Sequence, residues 1–263
     1  MSSKTRFWAV LKAAHSMEGY LEKASNSNID RKKGNAGDNN WTRFPRDIYN
    51  AAKKQGKTSL CNEIDYAAPW CDCFADWCIW QGTDGKGIAD ASYALCGRFD
   101  DYTVQSLDMY KKAGRFGKSP KLGAQIFFGS NGSPTHTGLV YGYSAGTVYT
   151  IEGNTSSASG EVANGGAVRA KSYSVKYERI IGYGYPRYMA DAPTLGKYKA
   201  LKARNVRSSA KATSKKVSTI AKGETFTITQ LMVNSGGNTW GYVPAKGGWV
   251  CIRVTKNKKA TKE

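Results

Sequence analysis

Apolar residues recur at helical spacing in the first 115 residues of the chain and at strand-like spacing after them. Trp8, Leu11, Ala14, His15, Tyr20 and Leu21 follow an approximate 3.6-residue period and predict an amphipathic first helix. Asn26 to Asn40 is rich in Ser, Asn, Asp and Gly and reads as a loop. Trp41 to Lys54 predicts a second helix, with Thr42 as its cap. Pro69-Trp70 fits a turn into a third helix beginning at or near Cys71, with Cys71, Phe74, Ala75 and Cys78 along one buried stripe. Asp72 and Asp76 fall four apart on that helix and are expected to face solvent. Asp101 to Lys112, with Thr103 near its start, predicts a fourth helix.

From Lys121 the pattern turns to short alternating runs separated by Gly, Ser, Asn and Pro. Strands are predicted at 124–128, 137–143, 147–152, 167–173 and 180–185. Helices followed by strands point to an α+β domain with an antiparallel sheet over residues 1–190. Asp191-Ala192-Pro193 marks a linker, taken as 191–197. Residues 198–254 carry short strands with Gly, Ser and Asn turns, a length that suits a small all-β barrel. The lysine-rich tail, 255–263, is expected to be disordered.

Charge sharpens this division. The net charge is +19, and residues 193–263 hold 15 Lys/Arg against only Glu224 and Glu263. So basic a segment makes nucleic acid, an anionic membrane and an anionic cell wall the partners to weigh. No apolar run reaches the roughly 18 residues of a membrane span. The opening Phe7-Trp8-Ala9-Val10-Leu11 is too short for a secretory core and is broken by Lys12 and His15, so no signal peptide is expected. Six cysteines in 263 residues do not make a disulfide scaffold. Zinc at Cys71, Cys73 and Cys78 is disfavoured, because at about 100° per residue Cys73 points away from the other two. Cys61, Cys96 and Cys251 read as buried free thiols, with a Cys61–Cys96 bridge as the alternative.

The chemistry gathers on four residues. Cys71 at a helix N-terminus meets a partial positive charge that favours its thiolate. His136, one of only two histidines, opens the run His136-Thr137-Gly138-Leu139-Val140. Ser144-Ala145-Gly146 reads as a three-residue hairpin loop, so Tyr143 is expected opposite Thr147, Gly138 opposite Glu152 and His136 opposite Asn154. In that register His136, Glu152 and Asn154 share one face, with Gly138 leaving space between them. Thiol, imidazole and carboxylate in this order suit a cysteine-nucleophile hydrolase. Cys71 would attack, His136 would move the proton, and Glu152 or Asn154 would fix the ring's tautomer. Asn154-Thr155-Ser156 also reads as the start of a polar turn. This constellation calls for no cofactor and no metal.

The segments that carry this chemistry resemble the CHAP-domain peptidoglycan hydrolases (cysteine, histidine-dependent amidohydrolases/peptidases) found in endolysins of phages that infect Gram-positive bacteria. The matching segments begin at Gly19-Tyr20-Leu21-Glu22-Lys23, Trp70-Cys71-Asp72-Cys73-Phe74, Gly123-Ala124-Gln125-Ile126, His136-Thr137-Gly138-Leu139-Val140 and Ile151-Glu152-Gly153-Asn154, over about residues 5–188. The resemblance implies a papain-like fold, a Cys71–His136–Glu152 arrangement assisted by Asn154, and hydrolysis of an amide in the wall. The family's C-x-x-F spacing selects Cys71 over Cys73. Some members carry a glutamine before the nucleophile, where this chain has Trp70, and some bind calcium through clustered acids, where this chain shows only scattered Asp65, Asp72 and Asp76. Residues 198–254 resemble a bacterial SH3-like wall-binding module through Asn205-Val206-Arg207-Ser208-Ser209, Trp240-Gly241-Tyr242-Val243 and Gly247-Gly248-Trp249-Val250. Of Trp240, Tyr242 and Trp249, two are expected in the barrel core.

The expected partner is therefore the peptidoglycan of a Gram-positive wall together with its anionic polymers, reached after release from the host cytoplasm. A muramoyl-alanine amidase and a peptide endopeptidase remain equally open, since both pass through the same thioester. A non-catalytic wall-binding protein that kept the fold is the alternative. A nucleic-acid binder rests on charge alone, with no recognition helix or aromatic–basic RNA motif to support it.

Overall fold

A computed structural model describes residues 4–61, 67–158, 160, 164–189, 192–254 and 257–263. Five α-helices come first: α1 Phe7–Ser16, α2 Arg43–Lys54, α3 Cys71–Gln81, α4 Ile88–Ala94 and α5 Thr103–Lys112. The strands of the central region are β1 Phe116–Gly117, β2 Gln125–Ser130, β3 Ser133–Ser144, β4 Thr147–Thr155, β5 Ala167–Ser174 and β6 Ile180–Gly184. The remaining strands are β7 Gly196–Ala200, β8 Arg204–Arg207, β9 Lys216–Ile220, β10 Thr225–Ile228, β11 Gln230–Val233, β12 Thr239–Val243, β13 Gly248–Val254, β14 Asn257–Lys258 and β15 Ala260–Lys262. No helix among the described residues is long and apolar enough to cross a membrane.

Helix α3 is the centre of the first region. Every residue from Cys71 to Trp80 is buried, the acids Asp72 and Asp76 included. A helix apolar on one stripe needs one covering layer, whereas one buried all round must be enclosed. Here α1, α2, α4, β3 and β4 all pack against it. The expectation that Asp72 and Asp76 face solvent is therefore overturned. Thr42 does precede α2, but its hydroxyl makes no cap hydrogen bond and is buried without a partner. Helix α4 had no counterpart in the sequence reading.

The sheet is antiparallel and runs β1-β6-β2-β3-β11-β12-β13-β8-β9, with β4 on β3, β5 on β4 and β14 on β13. Strand β3 is the hub. Leu139 pairs with both Gln125 and Ile151, and Tyr143 with both Val148 and Leu231. So β2 and β11 follow one another along one edge of β3, and β4 takes the other. Strands β8, β9 and β12–β14 thus continue the same sheet through β11, whereas β10, β7 and β15 form a separate three-stranded sheet, and one apolar core includes Phe74, Ile151, Leu231 and Val250 together. The pairing does not give the separate barrel expected from the sequence.

Other expectations in this region are also corrected. Gly196 and Lys197, assigned to the linker, open β7, while Asp191 lies outside the described residues. The tail is paired: Ala260, Thr261 and Lys262 sit opposite Ala200, Lys199 and Tyr198, and Lys258 sits opposite Arg253. Of the three aromatics, only Trp240 is core, whereas Tyr242 and Trp249 are half-buried and meet edge to face at 5.6 Å. All six cysteines are free, and Cys61, Cys96 and Cys251 are half-buried rather than buried.

Close approach of α3 to β4 depends on Gly153. A Cβ there would lie 2.5 Å from the Cβ of Phe74 and 2.8 Å from the Trp70 ring. Gly153→Ala is expected to cost about 1–3 kcal/mol through overpacking. Gly146→Ala, where a Cβ meets nothing within 4 Å, is expected to be silent. Urea denaturation of the two variants checks both, and equal midpoints would contradict the account.

Candidate active site

Three elements bring the site together. Helix α3 begins at Cys71, so the thiol sits in the first turn, where the backbone N–H groups have no acceptor within the helix. Strand β3 contributes His136 and β4 contributes Glu152, both fully buried. His136 Nε2 and Glu152 Oε2 are 2.9 Å apart. The second oxygen of Glu152 accepts from the Thr150 hydroxyl, and Oε2 also accepts from Tyr173 Oη at 3.1 Å. Phe128 stacks on the His136 ring at 5.9 Å, and Tyr173 packs against Phe128 at 4.8 Å.

The reason this geometry is available is Gly138. A Cβ at that position would lie 2.5 Å from Glu152 Cγ, so only glycine leaves room for the carboxylate beside the imidazole. The pairing that places them is more roundabout than a three-residue loop predicts. Next to the turn Tyr143 pairs with Val148, one residue off the expected partner Thr147. Ser144 Oγ there accepts from the N–H groups of Gly146 and Thr147. An irregularity between Val140 and Gly142 then restores the expected register, so that Leu139 faces Ile151.

Asn154 departs from expectation. Its backbone is left-handed, with φ of 53°, and β4 bulges between Glu152 and Thr155. Its side chain accepts from the Gly166 N–H at 3.2 Å and reaches Asn40 Oδ1 at 3.5 Å, and its carbonyl accepts from Gly165. These are the bonds of a turn former, and none of them goes to His136.

With Nε2 held by Glu152, His136 Nδ1 is the nitrogen left to Cys71. Nδ1 makes no standard hydrogen bond in this resting arrangement, yet Cys71 acts on the ring. Burial works against the imidazolium. The hydrogen bonds and charges of Cys71 and Glu152 outweigh that and push the His136 pKa from 6.5 up to about 10.

Trp70 does not replace a glutamine as a donor, because its indole Nε1–H is given to Glu22 Oε2 at 2.8 Å inside the core. Asp72 braces the first turn of α3. It accepts from Ser106 Oγ at 2.6 Å and from Gln125 Nε2 at 2.8 Å, tying α3 to α5 and β2. Asp76 accepts from the Asp100 N–H at 3.1 Å. Burial raises the Asp72 carboxyl from 3.8 to about 7 against the pull of those two donors, and burial also raises Asp76. Among the described residues no group of three or more His, Cys, Asp or Glu is arranged to hold a metal ion, and Asp65 lies outside them.

The partners the sequence reading missed are Thr150, Tyr173, Glu22, Ser106 and Gln125. Thr150 carried a usable signal, since it stands two residues before Glu152 on the same face of β4. The other four come from distant segments that only the fold brings near.

Residues 63–154 match the CHAP domain family, a span that contains Cys71, His136 and Glu152. No curated protein matches the chain. Among solved structures the chain is similar to the crystal structure of Ly7917, with 13% identity, 98% of this chain and 97% of that one covered, and a TM-score of 0.36. It is similar also to Ly7917 "with the hydrolyzing product of MDP", with 19% identity, 73% and 88% covered, and a TM-score of 0.29. At these scores neither likeness bears on the site.

Two pH-dependent outcomes follow. The stabilisation His136 receives from its partners is complete below about pH 6.5 and is lost as pH rises through about 10. Glu152→Gln is expected to lower kcat by about 10²–10⁴-fold and to move the alkaline limb of the pH–rate profile to lower pH; an unmoved limb would contradict the pairing. Asp72 binds its proton more tightly in the folded state, so its contribution is most favourable below about pH 4 and is lost as pH rises through about 7. The melting temperature of Asp72→Asn relative to wild type is expected to climb between pH 4 and pH 8, and a pH-independent difference would count against a buried acid.

Proposed function

We propose that the protein is a cysteine-dependent peptidoglycan hydrolase that cleaves an amide bond in the Gram-positive cell wall. The observation that carries this reading is the His136 ring, held by Glu152 through Nε2, with Nδ1 left to a thiol at the head of a helix. His136 takes the thiol proton of Cys71 through Nδ1 as the attack begins. The sulfur attacks the substrate carbonyl carbon, and a C–S bond forms as the carbonyl π pair moves to oxygen. In this reading the first-turn N–H groups of α3 would stabilise that oxyanion. His136 then gives its proton to the amide nitrogen, the C–N bond breaks and the amine leaves. Water, deprotonated by His136, hydrolyses the thioester and regenerates the thiol. Glu152 keeps the imidazole in one tautomer and orientation throughout, and it is fixed in turn by Thr150 and Tyr173.

The basic C-terminal strands suit a targeting role. Residues 193–263 carry 15 Lys/Arg against two acids, which favours accumulation on a polyanionic wall and release at high salt. In this reading residues 1–190 are the catalytic part and 198–254 the wall-binding part, and the protein acts as a phage endolysin. The two candidate bonds are the lactyl–alanine amide and a peptide bond of the stem or cross-bridge.

Cys71→Ala is expected to abolish digestion of purified walls, with a loss of at least about 10³-fold, while wall retention persists. Digestion at the wild-type rate would refute the mechanism. Mass spectrometry of the wild-type digest separates the two bonds. Free lactyl groups with new N-terminal alanine mark an amidase, and new termini inside the peptide mark an endopeptidase.

A further inference from the structure

Two clefts meet at the Ala192–Thr194 segment, which lines both. One, of about 480 Å³, is lined by Arg115, Lys121 and Arg187, and the other, of about 370 Å³, by Arg253, Lys258 and Lys262. No Asp or Glu is among the described lining residues of either. The six cations come from six separate places in the chain: after α5, before β2, after β6, and from β13, β14 and β15. Three of these places lie before the 192–194 segment and three after it.

Several of these cations are held in place without being neutralised. Arg115 donates from Nε to the Tyr185 carbonyl at 2.6 Å and from Nη2 to the Pro186 carbonyl at 3.2 Å. Lys121 Nζ lies 4.1 Å from the centroid of the Tyr185 ring. Lys262 Nζ donates to Thr194 Oγ1 at 2.5 Å. Among the described residues Arg115, Lys121, Arg187, Lys258 and Lys262 make no ion pair with a carboxylate. Cations elsewhere do pair, as in Arg46–Asp30 at 2.6 Å and Lys246–Glu224 at 2.7 Å. Gathering unpaired like charges in a concave surface costs folding energy and focuses a positive potential. An anionic ligand would relieve that repulsion.

The geometry points to these joined clefts as a binding site for a phosphodiester-linked polyol polymer of the cell wall. The assignment rests on the wall-hydrolase reading for the identity of the polymer. A chain with one negative charge per repeat matches cations spread over two adjoining clefts. A single-stranded nucleic acid would also want open aromatic faces for its bases, and the clefts offer none. Tyr185 is covered by Lys121, and Tyr198 is 3% exposed and stacked on Phe226. The site draws on both the helix-rich region and the C-terminal strands, so it would add to the wall binding assigned to 198–254.

The test compares wild type, Lys258→Gln/Lys262→Gln, and that pair with Arg187→Gln added, on purified walls with and without their phosphate polymers. Both lysines are exposed, which keeps the double variant informative if the triple variant misfolds. The triple variant is expected to bind polymer-bearing walls at least about tenfold more weakly, with the salt slope shallower by about two to three. On stripped walls it should bind and digest like wild type. Lys211→Gln/Lys215→Gln/Lys216→Gln removes the same charge from exposed positions around the β8–β9 turn and should retain near-wild-type binding. Equal losses in the two triple variants would overturn the site in favour of bulk charge. So would loss of single-stranded DNA binding with polymer binding intact. If wild type fails to digest stripped walls while cleft-dependent retention persists, the hydrolase reading fails and the polymer site stands.

Discussion

The contact between His136 and Glu152 is the constraint around which the rest is built. Two groups that can both carry charge lie wholly out of solvent, 2.9 Å apart. Burial of either alone would cost several kcal/mol, so each must be partnered. Glu152 meets this demand with the ring, Thr150 and Tyr173, and Gly138 supplies the room. The ring meets it with Glu152 on one nitrogen, which leaves the other for the Cys71 thiol. Helix α3 can bring the thiol there because Gly153 lets it lie against β4. Chemistry at the sulfur thus follows from packing at two glycines.

The same enclosure explains the acids that follow Cys71 on α3. A helix surrounded on every side has no solvent face for Asp72 and Asp76, and they survive burial through bonds to Ser106, Gln125 and the Asp100 backbone. Asp72 fixes the first turn of α3. Its proton is exchangeable near neutral pH, so the bracing of α3 is pH-sensitive.

Much of this was legible in the sequence where local pattern decides. The periodicity located α1, α2, α3 and α5 and five strands of the central sheet. Cys71 at a helix start and Gly138 as the gap beside Glu152 both came from spacing alone. The reading failed where distant segments decide. Nothing local announces the irregularity near Tyr141, where β11 also pairs with β3, so the agreement of His136 with Glu152 came from two compensating offsets. Asp72 and Asp76 looked exposed because carboxylates usually are, and their partners lie 34 and more residues away for Asp72. The tail looked disordered from its lysines, although Ala260 buries against the core while Thr261 and Lys262 face out. The sequence also suggested a separate barrel over 198–254 because the β3–β11 pairing has no local signature.

The account stands on the state of one ring, and the chain makes that ring easy to observe, because His15 and His136 are its only histidines. Burial lowers the pKa of His15 against the opposing pull of the Val233 carbonyl and Glu18, so the two should titrate far apart. A ¹⁵N-histidine NMR titration of the wild-type protein is the most direct measurement. The account predicts one imidazole that stays protonated through neutral pH and titrates near pH 10. Two rings both neutral at pH 8 would contradict it.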